Sequence, residues 1–297
     1  MVSSSEIEEA MTFDPFAPFE WQLAHDRSLQ LGLRGVLMGI LNVTPDSFSD
    51  GGKLAGVDAA VRKAHQMHRA GAVIVDIGGE STRPGAEEIT AIEEQRRILP
   101  VIEELASHAD LLLSVDTWRA ETAELAVAAG AHIINDVWGL QKDEAIAAVA
   151  ARSRAGVVAM HTGRERTKIS DVIADQIAFL SRSLEVAGKS GITQDAIVLD
   201  PGFGFAKDTD ENMELLARLE ELFILGQPLL SGTSRKRFVG AVTGRGVTRR
   251  DVGTAATTVV ARMKGCAIIR VHDVPKNRDA LRIADGVLAA TKKATVA

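Results

Sequence analysis

The sequence predicts a single-domain (β/α)8 barrel, a TIM barrel, and three observations predict it. Short, continuously apolar runs recur from Gly35 onward, stretches of helical period lie between them, and polar residues stand at the carboxyl ends of the runs. Strands buried on both faces read as unbroken apolar runs, and repeated strand–helix alternation calls for a parallel sheet with helices outside. The predicted strands are Val36–Leu41, Ala72–Asp76, Leu111–Val115, His132–Ile134, Gly156–Met160, Ile197–Leu199, Pro228–Leu230 and Ala267–Val271. Amphipathic segments such as Asp58–Ala70, Ala120–Ala129, Asp171–Ala187 and Glu211–Leu222 supply helices between them. Eight such units in a chain of 297 residues favour a closed barrel over an open doubly wound sheet.

Several helix ends are also legible. Gly71 and Gly130 each follow an Ala-rich helix and precede a strand, where a left-handed glycine ends a helix. Asp116, Thr117 and Asp251 stand where N-caps are wanted. Residues 1–33 lack the barrel rhythm and read as an N-terminal extension to a barrel spanning 34–297. Its serine-rich opening is expected to be disordered. Its aromatic part, with Phe13, Phe16, Phe19 and Trp21, could pack on the barrel or on a partner subunit.

Composition bounds the function. Apolar residues make up 46% and charged residues 25%, the balance of an ordinary globular protein. A net charge of −6 without a long basic run argues against a broad nucleic-acid or membrane-surface footprint. No apolar run approaches the length of a membrane span, and the acidic N-terminus has no apolar signal-peptide region. Cys266 is alone in an apolar run and is expected to be a buried, inert thiol, which fits a reducing cytoplasm. The first strand is followed by no Gly-x-Gly-x-x-Gly, so a dinucleotide site is unsupported.

The sharper observation is the set of residues at the strand ends: Asn42, Asp76, Asp116, Asn135-Asp136, His161, Asp200, Ser231–Ser234, and Arg270 with His272-Asp273. In a barrel these ends surround one mouth, where such folds place their chemistry. Any one of them, taken alone, reads equally well as a helix-capping carboxylate or a surface cation.

Longer motifs decide between these readings. MGILNVTPDSFSDGG, starting at Met38, resembles the first signature of dihydropteroate synthases, and DIGGESTRPG, starting at Asp76, resembles the second. SVDT at 114–117, INDV at 134–137, LDPGFGF at 199–205, SRK at 234–236 and RVHDV at 270–274 continue the match in order. The resemblance implies an enzyme that condenses 6-hydroxymethyl-7,8-dihydropterin diphosphate with p-aminobenzoate, releasing diphosphate and forming dihydropteroate, with sulfonamides competing at the aminobenzoate site. It implies pterin binding by Asp116, Asn135, Asp200 and Lys236, and diphosphate binding by Thr82, Arg270 and His272. Asn42 would be the protein ligand of a Mg²⁺ cofactor, and Asp50 would join Arg270 and His272 in supporting the reaction. Thr82, Pro84, Phe205 and Arg237 would form the aminobenzoate side. A homodimer joined through barrel helices is the family expectation.

Some residues depart from the family pattern. Arg237 stands where serine is common, and Ala206 replaces a frequent glycine before the retained Lys207. MHTGRER at 160–166 differs from the usual Met-His-x-Arg-Gly, and Trp118 and Trp138 are bulky near the mouth. These departures keep two alternatives beside the active synthase: a catalytically weak paralogue that binds pterins or sulfonamides, and a pterin-dependent methyltransferase serving a corrinoid. The diphosphate motifs weigh against the latter.

Overall fold

The computed structural model describes residues 13–44, 52–80, 88–108 and 110–296. Two antiparallel strands open it, β1 (Phe19–Leu23) and β2 (Arg27–Leu31). The barrel strands follow: β3 (Val36–Asn42), β4 (Ile74–Gly78), β5 (Leu112–Asp116), β6 (Ile133–Asp136), β7 (Gly156–Met160), β8 (Ile197–Asp200), β9 (Leu230–Ser231) and β10 (Ile268–Val271). They pair in parallel in the order β8-β7-β6-β5-β4-β3-β10-β9. A bridge between Leu199 and Leu229 joins β8 to the start of β9 and closes the ring. Around it lie α1 (Gly52–Ala70), α2 (Ala91–Leu105), α3 (Ala120–Ala128), α4 (Ala145–Ser153), α5 (Val172–Ser190), α6 (Thr209–Ala217), α7 (Arg237–Thr243), α8 (Asp251–Met263) and α9 (Val274–Val296).

The two faces of each strand divide the core. Val75, Ile77, Leu113, Val115 and Ile134 point outward into the cluster shared with the helices. Val36, Met38, Ile74, Leu112, Ile133, Val158, Val198, Leu230 and Ile268 point inward and fill the barrel floor. Because side chains alternate along a strand, the next inward positions are Asp76, Ser114, Asn135, Asp200 and Arg270. The apolar floor thus sets the orientation of the polar layer above it.

The strand Gly156–Met160 is as predicted, and the other strand boundaries shift by at most two residues. The largest consequence falls on Asp76, expected at a strand end and found inside β4, because Ala72 and Val73 are taken up by the turn from α1. The expected caps are corrected as well. Arg119 is the N-cap residue of α3, Thr117 Oγ1 accepts its backbone N–H at 3.2 Å, and Asp116 turns into the mouth instead. Asp251 is the first residue of α8, and its carboxylate pairs with Arg235. The predicted helix 211–222 is α6 followed by a 3-10 turn over Leu219–Leu225. Gly71 and Gly130 have φ of 114° and 117°, backbone that favours glycine.

The residues read as an extension include a floor for the barrel. Trp21 is fully buried, and its Nε1 donates to Ala196 O at 2.9 Å. Trp21, Leu23 and Leu31 share a cluster with the inward residues of all eight barrel strands. Leu23 lies so close to Gly156 that a Cβ there would come within 2.4 Å of it. Phe13 stacks on Phe223 at 5.8 Å. A boundary at residue 33 therefore separates two sequence patterns and not two packing units, since 13–33 seal the amino-terminal end of the barrel. The serine-rich opening lies outside the described residues. Among the described residues no helix is long and apolar enough to cross a membrane. Cys266 is buried and unpaired, and burial pushes its thiol well above its ordinary range.

Candidate active site

Asp76 is the centre of the mouth. Its buried carboxylate accepts from Ser114 Oγ at 2.6 Å through Oδ1, and from Asn135 Nδ2 at 3.0 Å and Arg270 Nε at 2.6 Å through Oδ2. Arg270 reaches onward, and its Nη2 donates to Asp116 Oδ2 at 2.6 Å. Four strands, β4, β5, β6 and β10, are thereby tied by side chains as well as by backbone. Burial works against the charge of Arg270, but Asp76 and Asp116 outweigh it and hold the guanidinium firmly protonated. Burial pushes Asp116 up to about 7 against the opposing charge of Arg270, with Asp76 adding to the rise. Sequence reasoning placed Asp76 at a strand end without giving it a role. The signal that could have found it is its spacing of two from inward-facing Ile74.

Asn42 ends β3 beside Gly78. A Cβ on Gly78 would lie 3.4 Å from Asp116 Cβ, 3.7 Å from Asp116 Oδ2 and 3.8 Å from Asn42 Oδ1. Asn42 Oδ1 and the Asp116 side chain thus both border Gly78 at the strand ends. On β10, His272 sits two residues past Arg270. Ser234 Oγ accepts the His272 backbone N–H at 3.1 Å and contacts Nδ1 at 2.9 Å, which fixes the ring.

Asp200 and Lys236 face each other across Gly232. A Cβ there would lie 3.7 Å from Asp200 Oδ2 and 3.9 Å from Lys236 Nζ. Asp200 Oδ1 accepts from Gly202 N at 2.7 Å. Burial raises Asp200 against the opposing charges of Lys236 and Arg270. Burial brings Lys236 down to about 8, although Asp200 favours its charge. Lys236 Nζ also donates to Phe203 O and lies 4.7 Å from the centre of the Phe205 ring.

A second network lies behind this pair, and sequence reasoning missed it. Lys207 Nζ contacts His161 Nδ1 at 2.8 Å and donates to Gly202 O at 2.9 Å. On the other side of the ring, His161 Nε2 lies 3.0 Å from Asp175 Oδ2 and 2.8 Å from Arg166 Nη2. Arg166 donates to both oxygens of Asp175, at 2.8 and 2.6 Å. Burial brings Lys207 down to about 7, with Lys236 adding to the effect, and brings His161 down to about 4 against the pull of Asp175. Against the effect of burial, the hydrogen bonds from Arg166 and His161 hold Asp175 far below the carboxylate range.

Asp116, Asn135, Asp200, Lys236 and Arg270 therefore meet at one opening, with Asn42, His272 and Phe205 on its border. Arg237 is instead exposed, as the first residue of α7. Asp50, Thr82 and Pro84 lie outside the described residues. The described flanks of the loop after β4 are braced by Arg119, which donates to Glu80 Oε2 at 2.7 Å, Glu94 Oε2 at 3.0 Å and Ile89 O at 2.7 Å. Trp118 and Trp138 clasp Lys142, whose Nζ lies 4.4 and 4.1 Å from their ring centres. The opening, then, offers buried donors and acceptors to a flat polar heterocycle and a guanidinium to an anion.

A family model described as pterin binding enzyme matches residues 38–272. The dihydropteroate synthase of Bacillus subtilis (strain 168) is 46% identical over 253 residues, covering 85% of this chain and 88% of the relative. Three solved structures share the fold. A Clostridium difficile dihydropteroate synthase in the presence of pteroic acid is 45% identical, with a TM-score of 0.84 over 86% of this chain and 98% of that one. The Xanthomonas albilineans enzyme with 4-aminobenzoic acid is 44% identical, with a TM-score of 0.85 over 91% and 99%. The Yersinia pestis enzyme in complex with a sulfonamide drug is 41% identical, with a TM-score of 0.83 over 90% and 98%.

Proposed function

The chain belongs to the dihydropteroate synthase family, and from that premise we propose that it is a transferase joining 6-hydroxymethyl-7,8-dihydropterin diphosphate to p-aminobenzoate in folate biosynthesis. The observation that carries this reading is the convergence of Asp116, Asn135, Asp200, Lys236 and Arg270 on one opening, with Asn135, Arg270 and Asp116 interlocked through Asp76. The aminopyrimidinone edge of a pterin carries alternating donors and acceptors. Buried Asn135 and Asp200 and half-buried Asp116 offer the matching set, and a ring without that pattern would leave them unpaired at a cost of about 1–3 kcal/mol each. Lys236 lies over the same site and balances the charge of Asp200.

In the reaction, the bond between the pterin methylene and diphosphate oxygen breaks, and its electron pair leaves with the diphosphate. The arylamine nitrogen then bonds to the methylene carbon and loses a proton. Arg270 and His272 hold the departing anion. A guanidinium has five N–H donors; among the described residues Asp76 and Asp116 engage Nε and one Nη2 hydrogen, and the other donors can grip phosphate oxygens. Pre-set donors of this kind supply the leaving-group stabilisation that such a step requires. By the resemblance, Thr82 would add a diphosphate contact, Asp50 would support the cationic carbon, and Thr82, Pro84 and Phe205 would border the amine.

Mg²⁺ fits the donors present. Asn42 Oδ1 is a hard oxygen beside the Asp116 carboxylate, and a magnesium site built from one protein oxygen, diphosphate and water is the pattern this ion favours. When bound, it would offset charge on the diphosphate.

Sulfonamides resemble the aminobenzoate and would compete for its side of the mouth. A homodimer would cover the exposed Val252, Val260, Met263, Ile283 and Val287 on neighbouring α8 and α9. A cytoplasmic setting suits the single reduced thiol. The catalytically weak alternative has no specific observation in its favour, since Trp118 and Trp138 are engaged at the rim with Lys142. The test is direct. Purified chain given the pterin diphosphate, p-aminobenzoate and Mg²⁺ should release dihydropteroate and diphosphate in equal amounts. No product at high enzyme concentration would remove the reading.

A further inference from the structure

Lys236 is carried by a turn, and that turn is gripped from outside the mouth. Arg235, in its middle, has a left-handed φ of 58°, a conformation unfavourable for a residue with a Cβ and kept only where neighbours impose it. Those neighbours are the first turn of α8 and the residue before it. Buried Thr254 Oγ1 accepts the Arg235 backbone N–H at 3.1 Å and donates to Arg250 O at 3.0 Å. Asp251 takes the Arg235 guanidinium at 2.7 and 3.1 Å. Arg250 reaches back to the turn itself: its Nη1 donates to Arg235 O at 3.0 Å and to Lys236 O at 3.3 Å, while its Nε donates to Arg245 O at 3.1 Å. Gly240, in α7, makes room for it. A Cβ there would come within 2.3 Å of Arg250 Nε and 2.5 Å of its Cζ and Nη2, the three atoms it would meet first.

Lys236 is also the N-cap residue of α7, and its carbonyl accepts from Gly240 N at 3.4 Å. One guanidinium thus holds the two successive carbonyls that set the direction in which the Lys236 side chain departs. Ser234, on the other side of Arg235, has its own anchor in His272, and Thr233 Oγ1 lies 2.7 Å from Thr257 Oγ1. The grip of Arg250 therefore falls on Lys236, whose ammonium faces Asp200 across Gly232. Given the reading of the site above, in which Lys236 holds the pterin, we propose that Arg250 is a positioning residue for Lys236, acting by locking the Arg235–Lys236 turn to the start of α8.

The test measures kcat and both KM values for wild type, Arg250→Gln, Arg250→Lys and Gly240→Ala, and repeats Arg250→Gln in a Lys236→Met background. Arg250→Gln should raise KM for the pterin diphosphate about tenfold or more, within the range that misplacement by about 1 Å from a remote substitution can cost, while KM for p-aminobenzoate stays within about twofold. Arg250→Lys, which can still donate to one carbonyl, should recover part of the loss. Gly240→Ala is a second route to the same state: its methyl takes the place of the guanidinium while alanine favours the helix, and it should raise the same KM. In the Lys236→Met background, Arg250→Gln should cost no more than about a further twofold in kcat/KM, because the residue it positions is gone. A wild-type KM for the pterin diphosphate in Arg250→Gln or Gly240→Ala, an equal rise in both KM values, or the full loss repeated on Lys236→Met would overturn the proposal. Wild type that makes no dihydropteroate would instead sink the reading of the site and the proposal with it.

Discussion

The two flanks of the mouth are built differently. On the flank of β4, β5, β6 and β10, the functional side chains leave the strands themselves and hold one another: Asp76 binds Ser114, Asn135 and Arg270, and Arg270 binds Asp116. On the flank of β7, β8 and β9, Asp200 ends a strand and the others leave loops. Arg164 and Phe205 are loop residues, Lys236 immediately precedes α7, and Ala206 has a left-handed φ of 52°. Strand-borne groups over an apolar floor are positioned by the core. Loop-borne groups are positioned by local contacts, here Lys168 to Ala206 O at 2.8 Å and Lys207 to Gly202 O at 2.9 Å. On the proposed reading, the interlocked flank holds the diphosphate end and part of the pterin edge, while Asp200 and Lys236 bring the other flank to the same heterocycle.

The largest effect should come from the rigid flank. Arg270→Gln leaves two buried carboxylates without their shared cation and removes the diphosphate grip. A loss of about a hundredfold to a thousandfold in kcat/KM is expected, the scale of removing one such electrostatic donor. A loss under tenfold would break the comparison. Next comes the floor beneath both flanks. Trp21→Ala empties a fully buried site and should cost about 3–5 kcal/mol in chemical denaturation. KM for both substrates should be unchanged at temperatures where the variant is folded, and a shift in either would mean that the floor tunes the site.

Lys207 sharpens the account of the loop flank. Its folded pKa of about 7 lies below the ordinary 10.5. Below pH 7 both states carry the charge, and between pH 7 and about 10 the unfolded chain binds the extra proton. Stability should therefore rise with pH across that window through this group. Lys207→Met should flatten that rise in denaturation midpoints, and an identical profile in the variant would contradict the burial of the ammonium. The smallest effect belongs to Ala206→Gly, which should gain about 0.5–1 kcal/mol by relieving the left-handed alanine. A loss of that size would show the alanine methyl packing usefully against Gly163.

Much of this was legible in the residues. The barrel and most of its mouth residues followed from apolar runs that lead into Asn42, Asp116, Asn135 and Asp200, with Arg270 inside the last run. What stayed hidden depended on pairing. Asp76 is one carboxylate in a motif string until the inward face of β4 is known. His161, Asp175 and Arg166 become a network only when α5 folds back against β7. The hairpin of β1 and β2 has a strand period, but its burial comes from tertiary contact with Gly156 and Ala196, which no local pattern announces. Gly163 and Ala206 read as unrelated departures in the sequence and become one contact in the fold.

The most direct test of the interlocked flank is a double-mutant cycle in kcat/KM between Asp76→Asn and Arg270→Gln. If the two residues act as one unit, the double variant should be no more than about tenfold worse than the poorer single variant. Losses that multiply would show two independent residues and contradict the account.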